Sequence, residues 1–410
     1  MKRKFIYSRV SVFIAFIIAM SPILEPYVFL ELGNNTIRIM DVLLVIAIIS
    51  LIITKKINKL PYLHLISFLI FYLIINIISF MPGEQDRNFI MSLKVLLLWF
   101  IYALSLGYLW KFVSQQKFIK YTKMMAIIVT TFLIIQFVFV SMGYINFFDG
   151  RIPFLKLYEY DGWASIIDPN TGDIRVHSFF QESSYYGIFI LPVFTYSLMK
   201  NNFKLTIFLF FGLFITSSLL AILGSLLILS YYMFIYKHKN KSINKHSKKN
   251  FIYIIFFTLF FMLILYNLSD GVRDVINTII FRVGNIGDDL RGERLGSTKV
   301  RLLGYSSYFK YYPIYFKIFG SGASQFTNFL GLDVVAYSST VVTVLLNYGI
   351  IGLLFFVSWV GYLYIKSDST GKIFVVLFLI ISFVDSFWFG WKFYYILTWI
   401  FIFFPHRKPM

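Results

Sequence analysis

LTIFLFFGLFITSSLLAILGSLLILSYYMFIY, Leu205 to Tyr236, runs for 32 residues without a charge, and KHKNKSINKHSKKN, Lys237 to Asn250, follows it. A membrane-crossing helix needs about 20 apolar residues, so the run is long for one span and short for two. One tilted helix crosses once and leaves six lysines on the far side. Two short helices turning near Thr216-Ser217-Ser218 return those lysines to the side where the run began. Lysine-rich loops stay on the cytoplasmic side, which favours the hairpin.

Working outward, apolar segments recur near 8–30, 37–54, 60–81, 89–110, 124–144, 179–199, 251–267, 340–364, 371–387 and 391–404. With the hairpin they make about twelve helices, within a range of ten to thirteen. The fold class expected is an all-α polytopic membrane protein, one membrane domain over residues 1–410. Composition agrees, with 59% of the 410 residues hydrophobic and only 14% charged. Soluble domains carry about 25% charged residues, so a set of water-soluble domains is excluded. The basic, apolar start from Met1 to Met20 lacks a small-x-small cleavage site and reads as a retained first helix. Cysteine is absent, which excludes disulfides and thiolate-bound metal.

A net charge of +19 invites nucleic acid as a partner, but the placement of the charge argues otherwise. Lysines cluster after alternate helices: Lys2 and Lys4; Lys55, Lys56 and Lys59; Lys111 to Lys123; Lys200 and Lys204; Lys366 and Lys372; Lys408. Both termini are then expected in the cytoplasm. On that topology the inner side carries a net charge of +22 and everything else −3. Orientation and anionic inner-leaflet lipid account for the excess, and no nucleic acid partner is expected.

Two outward-facing loops are long, 145–178 and 267–339. Loops beyond about 15 residues are usually functional or disordered. These are rich in Tyr, Phe, Trp and Ile, which argues for a folded cap. Nine of the twelve arginines fall outside: Arg38, Arg87, Arg151, Arg175, Arg273, Arg282, Arg291, Arg294 and Arg301. Topology accepts either cation, whereas a planar guanidinium fork grips phosphate or carboxylate through two bonds. Pairing with Asp288, Asp289 and Glu293 is the plainer role for any single arginine; for the set, an anion site is expected.

Arg301 follows Gly296-Ser297-Thr298-Lys299-Val300, a helix start with Ser297 as N-cap. Free N–H groups at such an end attract phosphate. Helical spacing lines Arg301 up with Tyr305, Tyr308 and Tyr312, a stripe suited either to a sugar phosphate or to membrane-interface packing. Just upstream, Val272 to Val283 has the spacing of an amphipathic helix on the membrane surface. A second cluster is Arg175-Val176-His177-Ser178-Phe179-Phe180-Gln181-Glu182-Ser183-Ser184. Here Arg175 can bind phosphate, while His177 or Glu182 can take a proton; Glu182 can equally pair with Arg175 or cap the helix. Within the spans Lys94, Asp41 and Asp385 stand out. Intramembrane charge is often functional, although snorkelling accounts for the first two. No phosphate loop, dinucleotide fingerprint, zinc-protease motif or nucleophile elbow is present.

Three segments carry a family resemblance. Arg175 with Ser178-Phe179-Phe180, Glu182, Ser183 and Ser184 is the first. Arg301 and Tyr305 followed by Ile318-Phe319-Gly320-Ser321-Gly322 is the second, and Asn347-Tyr348-Gly349-Ile350-Ile351-Gly352-Leu353-Leu354 the third. In this order and topology the chain resembles the O-antigen polymerase and ligase superfamily. The ligase branch has a histidine and a small polar residue where Ser338 and Ser339 stand here, which favours the polymerase (Wzy-type) branch and leaves the general base open.

The resemblance implies a GT-C-like lipid-linked glycan transferase of the bacterial inner membrane, without metal or other cofactor. Its substrate would be an undecaprenyl-pyrophosphate-linked oligosaccharide, and a chain-length regulator and a flippase would be its partners. Arg175 and Arg301 would hold the pyrophosphate, with Arg291 and Arg294 as auxiliaries. His177 or Glu182 would activate the acceptor hydroxyl, and Tyr305 and Tyr308 would stack on sugar. Competing readings are an O-antigen ligase, a lipid-linked oligosaccharide flippase and a non-catalytic assembly partner.

Overall fold

The computed structural model describes residues 2–32, 35–53, 62–83, 87–144, 149–157, 175–232, 304–306, 308–326, 339–388 and 390–404, with Ile166, Tyr266, Asn267, Arg273, Asn277 and Ile280. The described residues are 76% helical, so the helical class stands. The described helices are α1 (Lys2–Leu24), α2 (Ile39–Ile53), α3 (Leu63–Ser79), α4 (Phe89–Trp110), α5 (Gln115–Ser141) and α6 (Ser183–Met199). They continue as α7 (Phe203–Ile215), α8 (Leu219–Tyr231), α9 (Ile314–Phe319), α10 (Thr340–Lys366), α11 (Ser369–Val384) and α12 (Trp391–Phe401). Among the described residues, α4, α5 and α10 are long and apolar enough to cross a membrane, and several others are apolar but shorter. The expected helix over 251–267 lies mostly outside the described residues, as does most of the loop 267–339.

The purely α class needs one correction. The helix expected over 8–30 stops at Leu24, and Tyr27–Leu32 (β1) pairs antiparallel with Asn35–Arg38 (β2). Pro26 lacks the N–H that would continue the helix, and Tyr-Val-Phe-Leu is good strand sequence. Lys156–Leu157 (β3) joins the other edge of β1, giving a three-stranded sheet in the order β2-β1-β3.

The chain divides into two compact units. The first comprises Met1–Val10, Ala47–Val113 and Asn285–Met410, and the second Ser11–Ile46 and Ser114–Gly284. In the second unit the 205–236 run breaks as the hairpin reading expects. Ser217 has φ +49°, the Thr216 hydroxyl donates to the Leu213 carbonyl (2.7 Å), and Ser218 N–H donates to Thr216 Oγ1 (3.3 Å). Hydroxyls that compete for backbone groups are what stops the helix here.

Contacts with α6 fix the direction of both arms. Tyr186 lies against Gly212 and Ser197 bonds Thr206, so α7 runs antiparallel to α6. Gly187 meets Ala221 and Gly224 meets Leu191, so α8 returns alongside it. Each arm has 13 residues, about 20 Å at 1.5 Å per residue, which is shorter than a hydrocarbon core of about 30 Å.

In the first unit α10 is central. It packs against α3, α9 and α11, while α12 packs on α11 and α4. Aromatic rings fill the joints, with Phe68 4.2 Å from Trp359 and Phe71 stacked 3.7 Å from Phe355. Two buried polar side chains bridge helices of the unit: Tyr72 OH donates to the Gly352 carbonyl (2.9 Å) and Trp110 Nε1 to Thr398 Oγ1 (2.6 Å). Such groups are costly to bury unbonded.

Candidate functional site

The glycine segment after α9 and the start of α10 fit together backbone to backbone. Gly349 breaks α10 with φ +64°, which takes the preceding carbonyls out of the regular ladder. The glycine segment supplies donors to them. Ser321 N–H donates to Leu346 O and Gly322 N–H to Asn347 O, both at 3.0 Å. Ser324 N–H reaches Asn347 Oδ1 at 3.2 Å. A Cβ on Gly320, itself at φ +77°, would lie 2.2 Å from the Asn347 backbone, and one on Gly349 would lie 2.3 Å from Ile318 O. Only glycine permits both the dihedral and the approach.

Asn76 ties the same loop to α3 and α4. Its Oδ1 accepts Ala323 N–H (2.8 Å) and the Ser92 hydroxyl (2.9 Å), and Gln325 Oε1 accepts Asn88 N–H (2.9 Å). Four consecutive amides, Ser321 to Ser324, therefore have protein acceptors. The loop is a structural joint and leaves no N–H cradle for phosphate.

Arg87 closes the joint. Its Nη1 donates to Ser79 O (2.6 Å) and Ser321 O (3.3 Å), and its guanidinium lies over the rings of Phe80 (4.8 Å) and Phe316 (4.4 Å). Cation–π contact of this kind strengthens as water is excluded. Arg151 pairs with Asp149 at 2.9 Å on the surface. Two of the nine arginines expected outside thus have other duties, which narrows the anion-site expectation to the remainder.

The tyrosine stripe packs on α10. Tyr308 and Tyr312 are buried with Phe316, Val342, Leu345 and Leu346, and Tyr305 is half-buried at the margin. The Tyr308 hydroxyl donates to Lys317 O, and burial pushes its pKa up to about 12. At 3% exposure its ring is enclosed, so the expectation that Tyr308 stacks on sugar gives way to packing. Tyr305 hydrogen-bonds the Ser339 side chain, a contact that opposes the rise in its pKa caused by burial.

Ser339 caps α10, its Oγ accepting Val342 N–H (3.3 Å). Thr340 N–H and Oγ1 both donate to Asp385 O at 2.9 Å, and Ser386 N–H donates to Asp385 Oδ1 at 2.7 Å. Thr343 Oγ1 and Ser386 Oγ lie 3.4 Å apart. Hydroxyls and one carboxyl group therefore gather at this helix end.

In the second unit, the Arg175-to-Ser184 segment is pinned to α5. Gln136 Oε1 accepts the N–H of His177 (3.1 Å) and of Ser178 (2.9 Å), and the Ser178 hydroxyl donates to Val129 O (2.8 Å). His177 is fully buried, so it cannot meet an acceptor hydroxyl without movement of the segment. Glu182 is the half-buried N-cap residue of α6, makes no side-chain cap bond, and accepts the Ser184 hydroxyl at 3.2 Å. Arg175 is half-buried, with its N–H on Ile166 O (2.6 Å). Arg291, Arg294 and Arg301 lie outside the described residues.

Sequence reasoning passed over Asn76 and Gln136, and the roles of Asn347 and Arg87. The signal was there, because a lone amide inside an apolar helix marks a place where something must be bonded. No family model, curated protein or solved structure matches the chain.

Proposed function

We propose that the protein is a lipid-linked glycan polymerase on the outer face of the bacterial inner membrane, with about twelve spans and both termini in the cytoplasm. It moves a growing glycan from undecaprenyl pyrophosphate to a sugar hydroxyl of the next lipid-linked repeat unit. One observation carries the reading: the Gly320–Gly322 segment and the helix break at Gly349, which hold two of the three family-like motifs, meet at backbone-contact distance. The motifs were read separately along the sequence, and in the fold they form one joint.

The chemistry follows from the leaving group. As the glycosidic bond to diphosphate breaks, negative charge grows on the departing oxygen, and preorganised cations lower that barrier. Arg175 and Arg301 receive the diphosphate in this reading, with Arg291 and Arg294 beside them. Tyr305, half-buried and hydrogen-bonded to Ser339, offers an aromatic face to sugar. Of the two residues first considered for the acceptor proton, Glu182 is the more accessible.

The test is extension of a purified lipid-linked repeat unit by the purified protein in lipid vesicles, with EDTA present and no nucleotide sugar. A ladder of lengthened lipid-linked products supports the reading. Translocation of the unit without lengthening makes the protein a flippase, and transfer only to a different class of acceptor makes it a ligase.

A further inference from the structure

We propose that Asp385 is the proton acceptor for the attacking sugar hydroxyl, an inference that rests on the polymerase reading and assigns the base it left open. The residue ends α11 and is only 8% exposed. Its structural work is done by other atoms: the backbone carbonyl accepts both donors of Thr340, and Oδ1 accepts Ser386 N–H. Oδ2 is buried and takes no hydrogen bond among the described residues, so, as for His177, a sugar hydroxyl reaches it only when neighbouring groups shift. Leaving a buried acceptor unbonded is costly, and more so for a charged group, so packing alone does not explain a carboxylate here.

Its surroundings suit a sugar. The contacts of Ser339 and Thr340 bring Tyr305 and Asp385 to the same end of the 27-residue helix α10. Thr343 and Ser386 add hydroxyls that donate or accept, and the N-terminal end of a helix favours a negative group. Oδ2 is the one strong acceptor in this set with its hydrogen-bonding capacity unspent. In the reaction, the acceptor hydroxyl oxygen forms the new bond to the anomeric carbon of the donor. The bond from that carbon to the diphosphate oxygen breaks, and the diphosphate leaves with the electron pair. The hydroxyl proton passes to Asp385 Oδ2, which later releases it to water.

Asp385→Asn separates this role from structure, because asparagine keeps the backbone carbonyl and an Oδ1 acceptor. In the vesicle extension assay the variant is expected to lose about 100-fold or more in rate at saturating repeat unit, the scale of general-base catalysis. Half-saturation and melting midpoint stay close to wild type. Asp385→Ala is expected to recover part of its rate when formate is added, since formate can occupy the vacated carboxylate position. A wild-type rate in Asp385→Asn overturns the inference while leaving the polymerase reading in place. So does a lowered melting midpoint in Asp385→Asn together with no formate rescue in Asp385→Ala, which assigns the residue to structure. If the wild-type protein extends nothing, the polymerase reading falls and takes this assignment with it.

Discussion

At the scale of single residues, two glycines and one arginine make the sharpest claims. Gly320→Ala puts a methyl 2.2 Å from the Asn347 backbone at φ +77°. Strain of that kind costs about 1–3 kcal/mol before the clash is counted, so the variant should melt clearly below wild type in detergent. Gly361→Ala is the control, because nothing lies within 4 Å of its added methyl. Alanine gains about 0.5–1 kcal/mol over glycine inside a helix, so no loss is expected there. For Arg301→Lys the proposed diphosphate contact requires a fork, and polymer should be largely lost while the protein still inserts. Wild-type polymer length in that variant would remove Arg301 from the site. These residues stood out in the sequence as motif members. Their physical reasons did not, because a close approach between positions nearly thirty residues apart has no local signature.

At the scale of elements, the apolar runs were legible and their interruptions were only partly so. The break at Thr216-Ser217-Ser218 could be read from hydroxyl residues inside an apolar run and from the lysines beyond it. The strand at Tyr27–Leu32 could not, because a β-branched and aromatic stretch continuing a helix looks like more helix until its pairing partner is known. Gln136 shows how one buried amide joins elements: it alone accepts two N–H groups of the Arg175-to-Ser184 segment. Gln136→Leu leaves both without that acceptor, at about 1–3 kcal/mol each. The variant should melt early and expose the segment to protease; unchanged protease resistance would mean that other contacts hold it. In the hairpin, Gly212→Leu would drive a side chain into the Tyr186 hydroxyl, 2.3 Å from the ideal Cβ position. Loss of the stably folded protein is the expected outcome, read as a lower yield of monodisperse material.

At the scale of the whole molecule, charge placement argues for a topology with the segment 237–250 on the cytoplasmic side. A cysteine introduced at Ser242 should resist an impermeant thiol reagent in intact cells and react after permeabilisation. Labelling in intact cells would reverse the orientation from that point onward. The candidate site was legible as three separate motifs, and the structure joins two of them. Arg175 belongs to the second unit and Arg301 lies outside the described residues, and the polymerase reading that joins them is tested by experiment. The most direct one is deletion of the gene in its own organism, followed by gel analysis of surface glycan. A polymerase leaves single repeat units displayed outside where the wild type shows a ladder. An unchanged ladder, or repeat units accumulating on the cytoplasmic face, would contradict glycan polymerisation by this protein.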